Sequence, residues 1–244
     1  MPHKYCRASG RAGVEAGRAL TARRTTSRLD SAITKAANFV CTIIPGKRAS
    51  QCYYLGMKTA GFVLTGGHSS RMGRDKALLI WEFRPLVKHI AAQVMAAAGN
   101  VALIGEPERY CELGFDCFPD LRAGLGPLAG IEAALETRRG DLNLIVACDM
   151  PGLDASWLAT LLEKAKASRS PCVVTRDASG IIHPLCAVYR TGCLKEIQSA
   201  LDSGCLKLHD VVSALNSEIA DITTHVWNVN TPEEWSTFQR RRSA

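Results

Sequence analysis

Residues 60–76 read AGFVLTGGHSSRMGRDK, an apolar run followed by a loop rich in glycine, serine and basic residues. The apolar run is typical of a buried strand. Gly66 and Gly67 would let the backbone turn sharply and bring its amide groups close to an anion. Arg71 and Lys76 would supply positive charge to phosphate oxygens. The loop is neither a Walker sequence nor GxGxxG. A surface loop with solvated charges is the alternative, but its place after a strand favours phosphate binding.

From Met57 onward, short apolar runs alternate with amphipathic stretches. We predict strands at Ala60–Thr65, Val101–Gly105, Leu142–Cys148, Cys172–Thr175 and His183–Tyr189. We predict helices at Pro85–Ala98, Gly126–Arg139, Asp154–Ala167, Cys193–Leu201 and Leu208–Leu215, and a last helix that Thr231 caps. This alternation predicts an α/β fold with a mostly parallel sheet that helices cover on both faces. Ligands bind at the carboxyl ends of the strands in such a sheet.

Asp149 ends the strongly apolar run that leads to Cys148. A carboxylate is costly to bury without a partner, so we expect Asp149 to face a cleft. Mg²⁺ that bridges phosphate oxygens would be a suitable partner there. The alternative is an aspartate that merely forms a turn before Pro151.

Three further positions are candidates for the same cleft. Asp120 follows a short predicted strand, and the helix that starts at Gly126 could face a ligand with its free amides. Asn228 and Asn230 would share one side of an extended segment, where they suit phosphate or metal-bound water. An ordinary helix junction and an asparagine-rich turn are the respective alternatives. His183 is a substrate-side candidate, although a histidine in an apolar strand is more often a core residue.

The positive charge of the chain is concentrated at its amino terminus. The net charge is +7, but residues 1–58 hold 11 of the 30 Lys and Arg residues and 2 of the 23 acidic ones. The rest of the chain is therefore slightly acidic, and we expect no binding of nucleic acid by bulk electrostatics. A basic nucleic-acid-binding protein remains the alternative from another class. Residues 1–56 are predicted to be a disordered extension or the result of an over-long chain start, and 57–244 the functional domain.

Ten cysteines are scattered without a CxxC pair or zinc-ligand spacing. This scatter is typical of a reducing compartment, so we expect a cytoplasmic protein. No apolar stretch reaches the length that spans a bilayer, and we expect no membrane insertion.

Taken together, the motifs resemble the molybdenum cofactor guanylyltransferases of the MobA type. The residues that carry the resemblance occur in order from about Lys58 to the C-terminus. They are the loop 64–76, the run GPLAG at 126–130, CDMP at 148–151, His183-Pro184 and NVNTPEE at 228–234. The related cytidylyltransferases tend to have Ala-Ala-Gly where this chain has Thr65-Gly66-Gly67, and they lack Pro-Leu-Ala-Gly, which favours GTP. Two departures from the family are Thr65 in place of alanine and Gly105-Glu106-Pro107 where an asparagine is common.

The resemblance implies a three-layer α-β-α, Rossmann-like nucleotidyltransferase domain that uses Mg²⁺. It implies transfer of GMP from GTP to Mo-molybdopterin, with release of pyrophosphate, and protein partners that deliver the cofactor or are acceptor molybdoenzymes. By motif position, the GTP-binding residues would be Leu64, Thr65, Gly66, Lys76, Asp120 and Asp149. Lys76, Arg71 and Asp149 would be catalytic, Asp149 would hold the metal, and Asn228 and Asn230 would lie on the cofactor side. A cytidylyltransferase or a sugar-phosphate nucleotidyltransferase on the same fold remains the alternative among enzymes.

Overall fold

A seven-stranded sheet lies at the centre of this computed structural model, which describes residues 56–66 and 75–242. Its strands are β1 (Thr59–Leu64), β4 (Ala102–Ile104), β5 (Asp116–Phe118), β6 (Leu142–Ala147), β7 (Cys172–Arg176), β8 (Ile182–Arg190) and β9 (Glu218–Asp221). The order across the sheet is β5-β4-β1-β6-β8-β7-β9. β8 runs antiparallel to both of its neighbours, whereas the other pairings are parallel. The prediction of a mostly parallel sheet is confirmed.

Helices cover both faces of the sheet. They are α1 (Leu86–Ala98), α2 (Pro107–Tyr110), α3 (Pro127–Glu136), α4 (Ala155–Ala167), α5 (Leu194–Asp202), α6 (Leu208–Ala214) and α7 (Pro232–Arg242). The apolar sides of α1, α4 and α7 share one core with one face of the sheet. Those of α3, α5 and α6 share a second core with the opposite face. The domain is therefore the three-layer α-β-α architecture that the motifs implied.

Local sequence signals explain several helix boundaries. Asp154 precedes α4, and its side chain accepts a hydrogen bond from the Trp157 amide at 2.8 Å, as expected of an N-cap. Gly99 ends α1 in the left-handed conformation, with φ of 77°, which glycine adopts at low cost. Before α7, the Thr231 hydroxyl accepts from the Glu234 amide at 3.2 Å, which confirms the predicted cap.

The structure corrects several predicted bounds and adds elements. Pro85 does not open α1: it pairs with Ile80 in a hairpin of β2 (Ile80–Trp81) and β3 (Arg84–Pro85). The hairpin has only two residues per strand, too few for a visible alternation of apolar residues. α3 ends at Glu136 and not at Arg139, because Arg138 adopts a positive φ of 50° that interrupts the helix. Strand β9 and the short helix α2 were not predicted.

β1 lies between β4 and β6, so the loop that leaves it is central. In the register, Leu64 pairs with Ile104 on one side and with Ala147 on the other. A side chain at Gly105 would collide with the Thr65 hydroxyl, and the two strand ends can approach each other only because residue 105 is glycine. The residues after β1 and β6 therefore face each other at one edge. In the described part of the chain, no helix has the length and apolar character needed to cross a bilayer.

Candidate active site

Lys76 is held at the carboxyl edge of the sheet by its neighbour Asp75. The Asp75 carboxylate caps a short helical turn, accepting from the Ala77 amide at 2.9 Å. It also accepts from the Tyr110 hydroxyl at 2.7 Å. Burial and the Asp75 carboxylate raise the pKa of Tyr110, so this hydroxyl remains a donor. Asp75 thus fixes the backbone from which the Lys76 side chain extends.

Lys76 contacts two polar segments from elsewhere in the chain, one that follows β6 and one that precedes α7. Its ammonium donates to the side-chain amide oxygen of Asn230 at 2.7 Å and lies 3.6 Å from the Asp149 carboxylate. The Val229 amide donates to the backbone carbonyl of Asp149 at 2.9 Å. Three residues predicted for the site from distant parts of the sequence are therefore together.

Among the described residues, the Asp149 carboxylate has a single cation, Lys76, within ion-pair distance. Its side chain is 24% exposed, and burial raises its pKa, while Lys76 offsets only part of that effect. The buried Cys148 next to it lies on the apolar side of the same turn. A largely buried carboxylate with incomplete compensation is a group that a cation would stabilise.

Asp120 lies at the same edge of the sheet, beside two glycines. A side chain at Gly66 would lie 3.4 Å from the Asp120 carboxylate, and one at Gly130 would lie 3.5 Å from it and 3.3 Å from Leu64. Burial, together with the nearby Glu106, raises the pKa of Asp120. The two glycines leave room beside a carboxylate that is only half-buried, so a ligand hydroxyl or amine could reach it.

At the end of β1, where we predicted contacts with the nucleotide, the side chains are buried in the protein. Leu64 and Thr65 are both buried. The Thr65 hydroxyl and amide both donate to the Ile104 carbonyl, at 2.9 and 2.8 Å. These residues therefore build the floor of the site, and exposed Gly66 is the first residue whose backbone faces outward. Arg71 and the rest of the loop 67–74 lie outside the described residues.

The side chain of Asn228 contacts His183. Its amide nitrogen is 3.5 Å from Nδ1 of His183. His183 is buried, and its Nε2 is 3.2 Å from the carboxylate of Asp177. The sequence indicated Asn228 and His183 separately but did not indicate that they touch.

Two functional supports escaped sequence reasoning. Asp75 is part of the quoted loop, and an aspartate directly before a helical turn is a cap signal that could have been used. Asp177 follows β7 in the run Asp177-Ala178-Ser179-Gly180, which is typical of a turn. Nothing in that run indicates that its carboxylate turns inward toward His183.

Comparison with known families identifies the chain as a nucleotidyltransferase. Residues 61–219 match the MobA-like NTP transferase domain. The chain belongs to the MobA-like NTP transferase family. The match runs from β1 to β9 and so contains Lys76, Asp120 and Asp149.

Individual relatives are similar over most of the chain. A protein of Deinococcus radiodurans is 33% identical over 181 residues, which are 73% of this chain and 93% of that protein. One of Flavobacterium johnsoniae is 30% identical over 177 residues, 71% of this chain and 92% of that protein. Both are named "probable molybdenum cofactor guanylyltransferase".

A solved structure with the same fold is molybdopterin-guanine dinucleotide biosynthesis protein A from Archaeoglobus fulgidus. The TM-score is 0.64, and the match covers 75% of this chain and 98% of that one at 20% sequence identity. At this identity the likeness concerns the fold, and it supports the three-layer architecture described above.

Proposed function

We propose that this protein transfers GMP from GTP to Mo-molybdopterin, forming the molybdopterin guanine dinucleotide cofactor and releasing pyrophosphate. The observation that carries the proposal is the cluster of Lys76, Asp149 and Asn230 at the carboxyl edge of the sheet. Relatives named as guanylyltransferases share about a third of their residues with this chain, which favours GTP among the nucleotides.

Asp149 would hold a Mg²⁺ ion together with the phosphates. The described residues contain no group of three or more acidic, histidine or cysteine side chains that could hold a metal, so one carboxylate would contribute and phosphates and water would complete the shell. Mg²⁺ is commonly bound in this way. The buried, undercompensated carboxylate of Asp149 fits such an ion. When bound, Mg²⁺ would neutralise charge on the phosphates.

The side chains would act by alignment and charge. A terminal phosphate oxygen of the acceptor would attack the α-phosphorus of GTP, and the bond to the β-phosphate would break as pyrophosphate leaves. The attacking phosphate is already ionised, so no general base is needed. Lys76 would stabilise the charge that develops on the phosphates, and Arg71, from the loop outside the described residues, would assist it. Asp120, beside Gly66, would bind the nucleoside portion.

Asn228 and Asn230 would face the acceptor. Asn230 already accepts a hydrogen bond from Lys76, which connects the acceptor side to the phosphates. Proteins that deliver the cofactor or receive it would approach from the same side. A cytoplasmic location remains a prediction.

Release of pyrophosphate from GTP, CTP and ATP, each with molybdopterin as acceptor, tests the proposal. We expect release with GTP to exceed that with the other two by at least about 100-fold, since sites that pair with the polar groups of a substrate reject analogues strongly. Preferred use of CTP would identify a cytidylyltransferase, and release only with a sugar phosphate as acceptor would identify the other alternative. Either result would overturn the proposal.

Deletion of residues 1–56 tests the nucleic-acid alternative. That segment carries the excess positive charge of the chain, so it would be the part that binds nucleic acid. Because the residues proposed for the active site lie outside it, the deletion should leave GMP transfer intact. A full-length chain that transfers no GMP but binds nucleic acid, and loses that binding on deletion, would instead support the alternative.

A further inference from the structure

Asp177 is a buried carboxylate whose hydrogen bonds the proposed reaction does not use. It follows β7, and its side chain is fully buried. One oxygen accepts from the amides of Ser179 and Ile181, at 2.9 and 3.0 Å. The other lies 3.3 Å from the Val226 amide and 3.2 Å from Nε2 of His183. Burial alone would raise the pKa of Asp177, but these donors outweigh it and lower the pKa. The group is therefore an ionised acceptor.

An ionised acceptor at Nε2 determines the tautomer of His183. With Asp177 accepting at Nε2 and a donor nitrogen of Asn228 at Nδ1, the two contacts place the ring proton on Nε2 and a lone pair on Nδ1. That lone pair faces the Asn228 amide nitrogen at 3.5 Å, which can only donate. The Asn228 carbonyl oxygen is consequently on the side of the amide group away from His183.

The segment that carries Asn228 is attached to the active site at its next two residues. Val229 donates to the Asp149 backbone, and Asn230 accepts from Lys76. Asn228 lies two residues before Asn230, in a stretch that forms neither helix nor strand. The orientation of the Asn228 amide therefore decides whether an acceptor oxygen or a donor nitrogen faces a ligand beside Asn230.

We propose that Asp177 and His183 are positioning residues, and that through Asn228 they present a hydrogen-bond acceptor to an N–H or O–H donor of the acceptor substrate. The inference rests on the proposed function for the identity of that substrate. Neither residue touches the reacting atoms. Carboxylate–histidine pairs that orient a ligand-binding group in this way are common around metal ligands.

The substitution Asp177→Asn tests this chain of hydrogen bonds from Asp177 through His183 to Asn228, which we call the relay. It replaces the acceptor that faces His183 with a donor. The asparagine oxygen can keep the amides of Ser179 and Ile181, which leaves its NH₂ group facing His183 and costs the hydrogen bond from the Val226 amide. His183 must then accept at Nε2 and donate at Nδ1, and the Asn228 amide must rotate. We expect kcat/KM for the acceptor to fall about 10- to 100-fold, as for other such pairs, with KM for GTP unchanged.

Two substitutions at His183 show whether a side chain that keeps both hydrogen bonds also keeps activity toward the acceptor. In His183→Gln, one amide group can donate to Asp177 and accept from Asn228, so activity toward the acceptor should stay close to that of the wild type. In His183→Met, which fills a similar volume without polar atoms, it should fall as in Asp177→Asn. This pair also decides the question if Asp177→Asn fails to fold.

His225→Gln is the matched control. His225 lies 3.3 Å from the same carboxylate oxygen of Asp177 but is half exposed, and its described contacts do not include Asn228. It should leave both KM values unchanged.

Long-range proton–nitrogen NMR spectra provide a readout besides activity, since they identify which ring nitrogen of His183 carries the proton. We expect Nε2 in the wild type and Nδ1 in Asp177→Asn. If the wild type transfers no GMP, the proposed function fails, while the exchange of tautomers still tests the relay. If the wild type transfers GMP but the tautomer does not change, or KM for GTP rises in parallel with KM for the acceptor, the relay is wrong.

Discussion

Asp149 and Asp177 follow two parallel strands of one sheet, yet their surroundings are opposite. Asp149 has one cation at 3.6 Å, and its pKa is raised. Asp177 receives three backbone amides and has two histidines beside it, and its pKa is lowered. Both are largely removed from solvent. The difference shows that the supply of donors, and not burial, decides whether a carboxylate is available to a ligand or is already committed to the protein.

Asp149→Asn should have the largest effect on activity. The amide is similar in size but cannot supply the negative charge that a cation needs, so kcat/KM for GMP transfer should fall about 10²- to 10³-fold. Thermal unfolding should show no loss of stability, because the substitution removes a charge that is costly to bury. Near-normal transfer at saturating Mg²⁺ would show that Asp149 does not hold the metal.

Asp177→Ala should have the opposite profile, with its largest effect on stability. It leaves buried backbone amides and His183 without their acceptor, which should lower the free energy of unfolding by about 3 kcal/mol. Urea denaturation measures this. Asp221→Ala is the control, because that carboxylate lies at the end of strand β9 but forms an exposed ion pair with Arg176 and should contribute about 1 kcal/mol or less. Equal losses in the two variants would contradict the comparison.

The two carboxylates should also respond to pH with opposite sign, measured by denaturation in the presence of a chelator. The folded pKa of Asp177 lies below the unfolded value, which is about 3.9. Its stabilising contribution is therefore complete above that pH and is lost as pH falls through the folded pKa. The folded pKa of Asp149 lies above the unfolded value, so ionisation of this group in the folded state costs stability as pH rises.

The destabilisation caused by Asp177→Ala should consequently diminish below about pH 4. Any stability gained by Asp149→Asn should be present above that pH and disappear below it. If both differences from the wild type changed in the same direction with pH, the assignment of one pKa shift would be wrong.

His225→Ala should destabilise the fold much less than Asp177→Ala. The ring contacts Asp177 from the solvent side and is 47% exposed. An exposed contact of this kind contributes about 1 kcal/mol or less, and the backbone donors to Asp177 remain. Urea denaturation at neutral pH should place the variant within that range. A loss as large as that of Asp177→Ala would mean that His225, and not the backbone, holds the carboxylate.

Much of the fold could be predicted from the sequence because its central strands are continuous apolar runs. The strands that contain Val63, Val146 and Val188 are buried on both faces, and the pattern that predicts them is local. The hairpin at residues 80–85 and strand β9 could not be predicted in this way. Both are short and partly exposed, and β9 is also stabilised by pairing with the distant strand β7, which a local pattern does not record.

The site could be predicted in part for the same reason. Asp149 and Lys76 lie beside strand ends, and the rule that ligands collect at the carboxyl edge of a parallel sheet brings them together. Asp177 also follows a strand and satisfies that rule equally well. Only the three-dimensional arrangement shows that its oxygens are already occupied, because its donors come from loops up to 49 residues away.

The hydrogen bond between Lys76 and Asn230 spans 154 residues, and this separation has a consequence for synthesis on the ribosome. Every strand of the sheet is complete by Asp221, so a nascent chain has its core strands before the segment 228–231 leaves the exit tunnel. Lys76 acquires its Asn230 contact only after all strands of the sheet have been made. A chain interrupted between Asp221 and Asn230 could therefore contain every strand of the sheet and still lack this contact of Lys76.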